Sequence, residues 1–204
     1  MKKHIVSSLI LAGCSILLTH DGVCQPVPGP DFRQPKDHIL KVAERYTASG
    51  WMGDGKEGKK YVQLLTQSKD NPKSPPTCIK ISYALGPEGW AGIYWLNKPD
   101  NWGDKEGDDL GGKAFKKVTF YARGERGGEV VEFKAGGVDG TGKKFKDSFE
   151  VSTGKVRLEK DWKKYELKVE GKTLSSVIGL FCWVAADTDN PDGLTFFLDD
   201  IQYE

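Results

Sequence analysis

The fold of this chain is constrained most by a series of short runs rich in β-branched and aromatic residues, separated by turn residues. Glycine is frequent among the separators, with 25 in 204 residues, and no helical periodicity is sustained between the runs. About ten short strands in this pattern are typical of an all-β sandwich or barrel. The predicted strands cover residues 42–46, 61–65, 78–83, 92–96, 117–122, 129–135, 145–151, 164–169, 177–185 and 194–203.

Two details of this pattern lead to separate predictions. Residues 37–46 also carry apolar side chains at helical spacing, so a short helix before or in place of the first strand is an alternative. Residues 190–193 read Asn-Pro-Asp-Gly, which is the residue order of a type I turn. This turn predicts that the last two strands form a hairpin.

The first 24 residues have the features of a signal peptide. Basic Lys2 and Lys3 precede an apolar stretch that ends near Thr19 and is too short for a comfortable transmembrane helix. Two processing routes fit: residues 11–14 (LAGC) resemble a bacterial lipobox that would lipidate Cys14, and cleavage after Cys24 would suit an ordinary signal peptidase. Either route predicts an exported protein (periplasmic, cell-surface or secreted). A proline-rich linker over residues 25–40 and one domain over residues 41–204 would follow.

Charge and histidine content exclude several classes of function. The formal net charge is +1 and falls to zero once the leader is removed, so no nucleic-acid partner is predicted. A membrane contact is predicted only through a lipid on Cys14, and the oligomeric state is left open. Of the three histidines, His4 and His20 belong to the leader and His38 to the linker, which leaves no triad or zinc site.

Paired carboxylates would be the remaining route to an enzyme. A β-sandwich glucanase would typically carry closely alternating acids on one strand, and none is present. The chain is therefore predicted not to be an enzyme, with a glycan-cleaving hydrolase kept as an alternative. Cys78 and Cys182 both lie in strand-like runs, and a disulfide between them and a pair of buried thiols are the two alternatives.

Aromatic rings concentrate between residues 90 and 102, which hold three of the six tryptophans. Side chains on a strand alternate between its two faces, and this assigns the aliphatic sets, including Cys182 and Val184, to the core. The opposite set mixes rings with charges: Trp90, Tyr94, Tyr121, Arg123, Glu132, Lys134 and Trp183. If their strands share one sheet, the outer face of that sheet is an aromatic platform edged by hydrogen-bonding groups.

Such a surface suits sugars, whose C–H faces lie on aromatic rings and whose hydroxyls need fixed donors and acceptors. A polysaccharide or oligosaccharide is the predicted ligand, and a cell-surface protein-docking or assembly face is the alternative. The predicted stacking residues are Trp90, Tyr94, Tyr121 and Trp183, the predicted hydroxyl-binding residues are Arg123, Glu132 and Lys134, and the adjoining loop adds Trp102 and Asp104. Structural roles are predicted for Trp51, Trp95 and Trp162.

Several segments resemble the galactose-binding-like jelly-roll domains, a group that includes many carbohydrate-binding modules of bacterial secreted enzymes. They are residues 50–54 (GWMGD), 89–95 (GWAGIYW), 101–104 (NWGD), 118–125 (VTFYARGE), 161–165 (DWKKY) and 196–201 (FFLDDI). The resemblance implies a jelly-roll β-sandwich of two antiparallel sheets whose concave sheet binds glycans. It also implies a structural calcium ion, for which Asp199, Asp200 and Glu44 are the candidate ligands.

Overall fold

The computed structural model describes residues 39–204, and in them the chain is built almost entirely of β-strands. A single turn of helix, α1 (Val42–Arg45), and short 3-10 segments at Asp54–Lys60 and Gly111–Lys113 accompany the strands. The strands are β1 (Leu40–Lys41), β2 (Thr47–Gly53), β3 (Val62–Ser68), β4 (Cys78–Tyr83), β5 (Trp90–Leu96), β6 (Lys117–Gly124), β7 (Val130–Gly136), β8 (Glu150–Arg157), β9 (Lys163–Lys168), β10 (Gly179–Ala186) and β11 (Leu194–Tyr203).

The strands form two antiparallel sheets that pack face to face. The six-stranded sheet has the order β3-β4-β11-β6-β9, with β1 also paired to β11. The five-stranded sheet has the order β2-β5-β10-β7-β8. Consecutive strands repeatedly cross from one sheet to the other, as in a jelly roll. The predicted all-β jelly-roll sandwich is confirmed.

Aromatic rings fill the space between the sheets. Phe120 of the six-stranded sheet meets Phe133 and Phe181 of the five-stranded sheet at ring-centroid distances of 4.7 and 5.0 Å. None of these three side chains is exposed to solvent, and full burial of a phenylalanine stabilises a fold by about 1.5–3 kcal/mol. The buried Tyr203 hydroxyl donates to the Leu180 carbonyl at 2.7 Å, so the polar atom it brings into the core is satisfied.

The strand predictions fail where other forces outweigh strand propensity. The first predicted strand is largely helix α1, which was the alternative. Strand β2 was missed because Gly50 interrupts its strand-like pattern. A glycine is needed there, since a side-chain Cβ would lie only 2.8 Å from the Cβ of Tyr94. Strand β8 begins at Glu150 rather than at residue 145. The preceding segment is held as a loop by the Asp147 carboxylate, which binds backbone N–H groups.

The predicted hairpin between the last two strands is wrong. Gly193 N–H donates to the Asn190 carbonyl at 3.0 Å, so the expected turn does form. It connects β10 in the five-stranded sheet to β11 in the six-stranded sheet, however, and the two strands do not pair.

The predicted orientation of β10 is also wrong. Trp183 points into the core, is fully buried, and packs edge-to-face on Phe196 with ring centroids 5.3 Å apart. Cys182 and Val184 point the other way, toward the outside of the five-stranded sheet. Both sides of this strand are apolar, so alternation alone does not tell inside from outside. Trp183 therefore cannot stack on a ligand.

The disulfide alternative does not hold, because both cysteines are free and buried. Cys78 lies on β4 of one sheet and Cys182 on β10 of the other. Burial raises the pKa of both thiols, which keeps them in the inert, protonated form. Among the described residues, no helix is long and apolar enough to cross a membrane.

Candidate functional site

The structure divides the predicted aromatic platform between two opposite faces. Strand β6 belongs to the six-stranded sheet, so Tyr121 and Arg123 lie on the outer face of that sheet. Strands β5 and β7 belong to the five-stranded sheet, and the side chains of Trp90, Glu132 and Lys134 lie on its outer face. The two groups are on opposite sides of the sandwich and cannot bind one ligand together.

Arg123 already has structural partners. Its side chain is only 8% exposed, and its guanidinium lies 3.6 Å from the centroid of the Phe197 ring. The same guanidinium donates to the Asp70 carbonyl at 2.7 Å. The Trp162 ring lies over it, with the ring centroid 5.2 Å from Arg123 Cζ, and the Trp162 indole N–H donates to the Asn71 carbonyl. These contacts fix the loop of residues 69–77 on the outer face of the six-stranded sheet. The predicted ligand role of Arg123 is therefore wrong.

Tyr121 is half-buried on the same face, beside that loop. The Lys73 ammonium lies 4.9 Å from the centroid of its ring, which places a loop residue over the surface that a sugar would need. Tyr121 is thus separated from the other predicted stacking residues and is partly covered.

The outer face of the five-stranded sheet is more open, and Trp90 stands at one end of it. This side chain is 37% exposed. A Cβ on Gly53 would lie 2.9 Å from Cδ2 of Trp90, so the indole rests on backbone that carries no side chain. One side of the ring is thereby supported and the residue still faces solvent, an arrangement suited to stacking.

Next to Trp90 the face has an apolar floor. Gly92 lies between Met52 on β2 and Val184 on β10 in the strand register. A Cβ on Gly92 would lie 2.8 Å from Met52 Cε and 3.2 Å from Val184 Cγ2, so these two side chains close over the glycine. Both are half-buried. Neither was predicted as a site residue, because β2 was missed and β10 was inverted.

Beyond this floor, strands β7 and β8 carry polar groups that are held in place. Lys134 forms an ion pair with Glu150, and the Ser152 hydroxyl donates to Glu132 at 2.5 Å. Burial lowers the pKa of Lys134, but the hydrogen bond and charge of Glu150 outweigh it, so the pKa is raised and the amine stays protonated. Glu150 and Ser152 were missed because β8 was predicted too early in the chain.

Tyr94 supports this face rather than presenting a surface of its own. It is 5% exposed, and its hydroxyl donates to the Gly136 carbonyl at 3.1 Å across β10. Trp102 packs edge-to-face on it with ring centroids 5.9 Å apart and is itself half-buried. The prediction that Tyr94 stacks directly on a ligand is wrong, since its position fixes Trp102 instead.

The loop that carries Trp102 is organised by Asn101, which is 2% exposed. Its amide donates to Asn97 Oδ1 and to the Lys105 carbonyl, and its Oδ1 accepts from the Gly103 and Lys105 N–H groups. All the ordinary hydrogen-bonding capacity of this side chain serves the loop. Asp104 is exposed and pairs with Lys143 at 2.7 Å, at the tip of the neighbouring loop.

That neighbouring loop, residues 137–149, is anchored by a buried carboxylate. Asp147 accepts hydrogen bonds from the N–H groups of Val138 and Ile178, and from Gly179 more weakly. Burial raises the pKa of Asp147 to about 6, even though the backbone N–H groups favour its charged form. The loop it holds brings Phe145 onto the apolar cluster around Tyr94.

The candidate calcium ligands are occupied by protein hydrogen bonds. Asp199 accepts from the Ser74 N–H at 3.0 Å, Asp200 accepts from the Ser74 hydroxyl, and Glu44 pairs with Lys41. In the described part of the chain, no group of three or more acidic, histidine or cysteine side chains could hold a metal ion. Calcium binding by these residues therefore stays a prediction.

Comparisons with known proteins give structural matches alone. No family model and no curated protein matches the chain. A family 30 carbohydrate-binding module matches with a TM-score of 0.52 at 15% identity, over 81% of this chain and 98% of that one.

Two modules from Clostridium thermocellum match at the same level. The family 30 module of the cellulosomal cellulase Cel9D-Cel44B has a TM-score of 0.51 at 16% identity, over 78% of this chain and 92% of that one. The family 11 module of the cellulosomal cellulase Lic26A-Cel5E has a TM-score of 0.50 at 14% identity, over 81% and 92%. At such identities the likeness shows the fold: the chain has the jelly-roll sandwich of these carbohydrate-binding modules.

Proposed function

We propose that this protein binds a polysaccharide or oligosaccharide, without cleaving it, on the outer face of the five-stranded sheet. One observation carries the proposal: the exposed, supported ring of Trp90 shares this face with an apolar floor and with a row of fixed charges. Trp90 is the most exposed of the predicted rings on that face. The structurally similar proteins are carbohydrate-binding modules, which supports the same function.

The arrangement matches the chemistry of a sugar ring. The C–H face of a pyranose would lie on the indole of Trp90 and on the floor formed by Met52 and Val184. Its hydroxyls would reach Lys134 as a donor and Glu132 as an acceptor. Because both charged groups are already held by neighbours, little side-chain entropy is lost when a ligand binds.

The second half of the face would be formed by loops. Trp102 lies over Tyr94, and Asp104 beside it is exposed. We assign Trp102 a second stacking position and Asp104 a hydroxyl contact. Export through the leader of residues 1–24, and a lipid on Cys14, are also proposed; both lie outside the described residues.

The test compares rings on the two faces. We expect Trp90→Ala to weaken binding to a responsive polysaccharide by about tenfold or more in affinity electrophoresis, because an anchor ring of this kind contributes about 2 kcal/mol. Tyr121→Ala, which removes a ring from the opposite face, is the matched control and should bind like the wild type. Equal loss in both variants would contradict this location of the site.

Two further readouts separate the alternatives. Release of reducing sugar by the wild-type protein would show a glycan-cleaving hydrolase instead. If no polysaccharide retards the protein, a protein-docking role for the same face becomes the better explanation.

A further inference from the structure

An open cavity lies at one end of the sandwich, next to the proposed binding face. Its volume is about 320 Å³, and it is formed where the loop after β6 meets the turn between β10 and β11. The residues that matter here are Arg126, Arg157, Glu129 and Asp192, with the turn residue Asn190 beneath them.

Arg126 and Arg157 have no acidic partner in the described part of the chain, whereas the neighbouring Lys155 has one. Lys155 pairs with Asp189 at 2.8 Å, which neutralises that wall of the cavity. Among the side chains that the structure describes, no carboxylate lies within ion-pair distance of Arg126 or Arg157. Glu129 is 4% exposed; its Oε1 accepts the backbone N–H of Arg126, and its Oε2 is buried without a hydrogen-bond partner among the described residues.

Each guanidinium is nevertheless held in place by one backbone contact. Arg157 donates through Nη1 to the Gly128 carbonyl at 2.8 Å, and Arg126 donates through Nη2 to the Gly193 carbonyl at 3.2 Å. A guanidinium has five N–H donors, so each side chain keeps several for a ligand. Oriented, unpaired guanidinium groups are the usual partners of carboxylate and phosphate oxygens.

The turn that closes the cavity is rigid. Asn190 is buried, accepts from the Val130 N–H, and donates to the carbonyls of Val130 and Ala186. Little of the cavity wall would therefore need to rearrange when a ligand binds.

The strand register places the cavity at the edge of the proposed binding face. Trp90 on β5 is opposite Ala186 on β10, and Val130 on β7 is opposite Arg157 on β8. Extending the β10–β7 register by two residues sets Ala186 beside Val130. The backbone positions of Trp90 and Arg157 are thus three strand spacings apart across the sheet, roughly 14 Å. A short oligosaccharide can bridge this distance.

We propose that the cavity is an anion subsite, in which Arg126 and Arg157 bind the carboxylate of an acidic sugar unit whose neighbours lie on the Trp90 face. The inference rests on the proposed function and narrows its ligand to acidic glycans. The shared chemistry is an anionic group on a sugar, carried as a carboxylate or as a sulfate ester.

The experiment measures affinity for oligosaccharides of equal length by calorimetry. The probes are a galacturonate tetramer, a sulfated tetramer, and neutral xylose and glucose tetramers. We expect the wild type to prefer the galacturonate tetramer by about tenfold and to lose this preference as salt is raised. Preference for the sulfated tetramer would instead show that the subsite recognises sulfate.

The variant Arg157→Gln should lower galacturonate affinity by about tenfold while leaving affinity for the neutral tetramers unchanged. Arg157→Lys keeps the charge but loses the planar fork, so we expect it to recover only part of the loss. Lys168→Gln, an equal charge change on the exposed edge strand β9 of the other sheet, is the matched control.

The outcomes distinguish this inference from the proposed function. If neutral tetramers bind through Trp90 and Arg157→Gln changes nothing, the anion subsite is wrong and the proposed function stands. If no tetramer binds the wild type, both fail, unless free galacturonate still shifts the NMR resonances of Arg126 and Arg157. An equal effect of Lys168→Gln would reduce the preference to overall charge and would overturn the subsite.

Discussion

The outer faces of the two sheets carry similar side chains but meet the solvent differently. The face of the six-stranded sheet holds Tyr121 and Arg123 beneath the loop of residues 69–77. The face of the five-stranded sheet holds Trp90 and Lys134, and its Trp90 end is not covered. Rings and charges on one face therefore do not by themselves make a binding surface. The deciding factor is whether a segment of the same chain already uses their hydrogen bonds and ring faces.

The loops on the two faces are fixed by buried groups of opposite charge. Arg123 donates to a backbone carbonyl of its loop, whereas Asp147 accepts from backbone N–H groups around the loop of residues 137–149. The N–H groups that Asp147 binds are buried and would otherwise lack a partner. Of the two, only the carboxylate can change its charge in the pH range in which proteins are usually handled.

The largest effect is expected for Arg123→Ala. It removes the contacts of the guanidinium with the Phe197 and Trp162 rings and its hydrogen bond to the Asp70 carbonyl. We expect the free energy of unfolding in urea to fall by about 3 kcal/mol. Glycan affinity of the folded variant should stay unchanged, because this face does not bind.

The exposed Lys73→Ala, on the same loop, is the control and should change the free energy of unfolding by less than about 0.5 kcal/mol. A loss of glycan affinity in folded Arg123→Ala would place the site on the six-stranded face.

The buried carboxylate should give the other loop a pH signature. Asp147 has a pKa of about 6 in the fold, above its ordinary value of 3.8. The folded state therefore binds the Asp147 proton more tightly than the unfolded state does. The stability that this protonation contributes is complete below about pH 4 and is lost as the pH rises through 6. A difference of about two units corresponds to about 3 kcal/mol.

The measurement is the free energy of unfolding of the wild type and of Asp147→Asn between pH 4 and 7. The difference between them should change by up to about 3 kcal/mol, with the wild type losing stability relative to the variant as the pH rises. Parallel curves would contradict a buried, titrating carboxylate. Arg123→Ala, in which the other loop anchor is removed, should show no such change relative to the wild type.

An intermediate effect is expected for Asn101→Ala, which removes the hydrogen bonds that shape the loop carrying Trp102. We expect a loss of about 2 kcal/mol in the free energy of unfolding and a roughly fivefold loss of glycan affinity. Trp102→Ala should give a similar loss of affinity with a smaller loss of stability. If Asn101→Ala keeps full affinity, Trp102 does not contact the ligand.

The smallest effect is expected for Lys134→Gln, which keeps a hydrogen-bond donor but removes the charge between Glu132 and Glu150. Glycan affinity should fall about threefold to fivefold, corresponding to about 1 kcal/mol. Lys164→Gln, on the outer face of the six-stranded sheet, is the matched control for isothermal titration. Equal small losses in both variants would remove Lys134 from the site.

The sequence predicts the fold better than the site, for physical reasons that particular residues show. Alternation oriented β6 and β7 correctly because each has one apolar and one polar side. The same rule inverted β10, in which Trp183 and Cys182 are both compatible with a core. Strand β2 was missed because its glycine serves a close approach to Tyr94, which no local pattern reveals.

The site needed information that alternation does not contain. Nothing local to β6 indicates that it lies in the opposite sheet from β5, since sheet membership depends on long-range pairing. The cover over Arg123 comes from a loop more than fifty residues earlier in the chain. Glu150 and Ser152 could have been found by placing the start of β8 after the Asp147 anchor.

The most direct test of the proposed binding face follows the indole N–H resonances of the tryptophans by NMR while an oligosaccharide ligand is added. Trp90 and Trp102, on the outer face of the five-stranded sheet, should shift as the ligand is added. Trp162, whose indole donates to the Asn71 carbonyl on the opposite face, and the buried Trp183 should stay in place. A shift of Trp162 with Trp90 unmoved would contradict the proposal that the five-stranded face is the binding face.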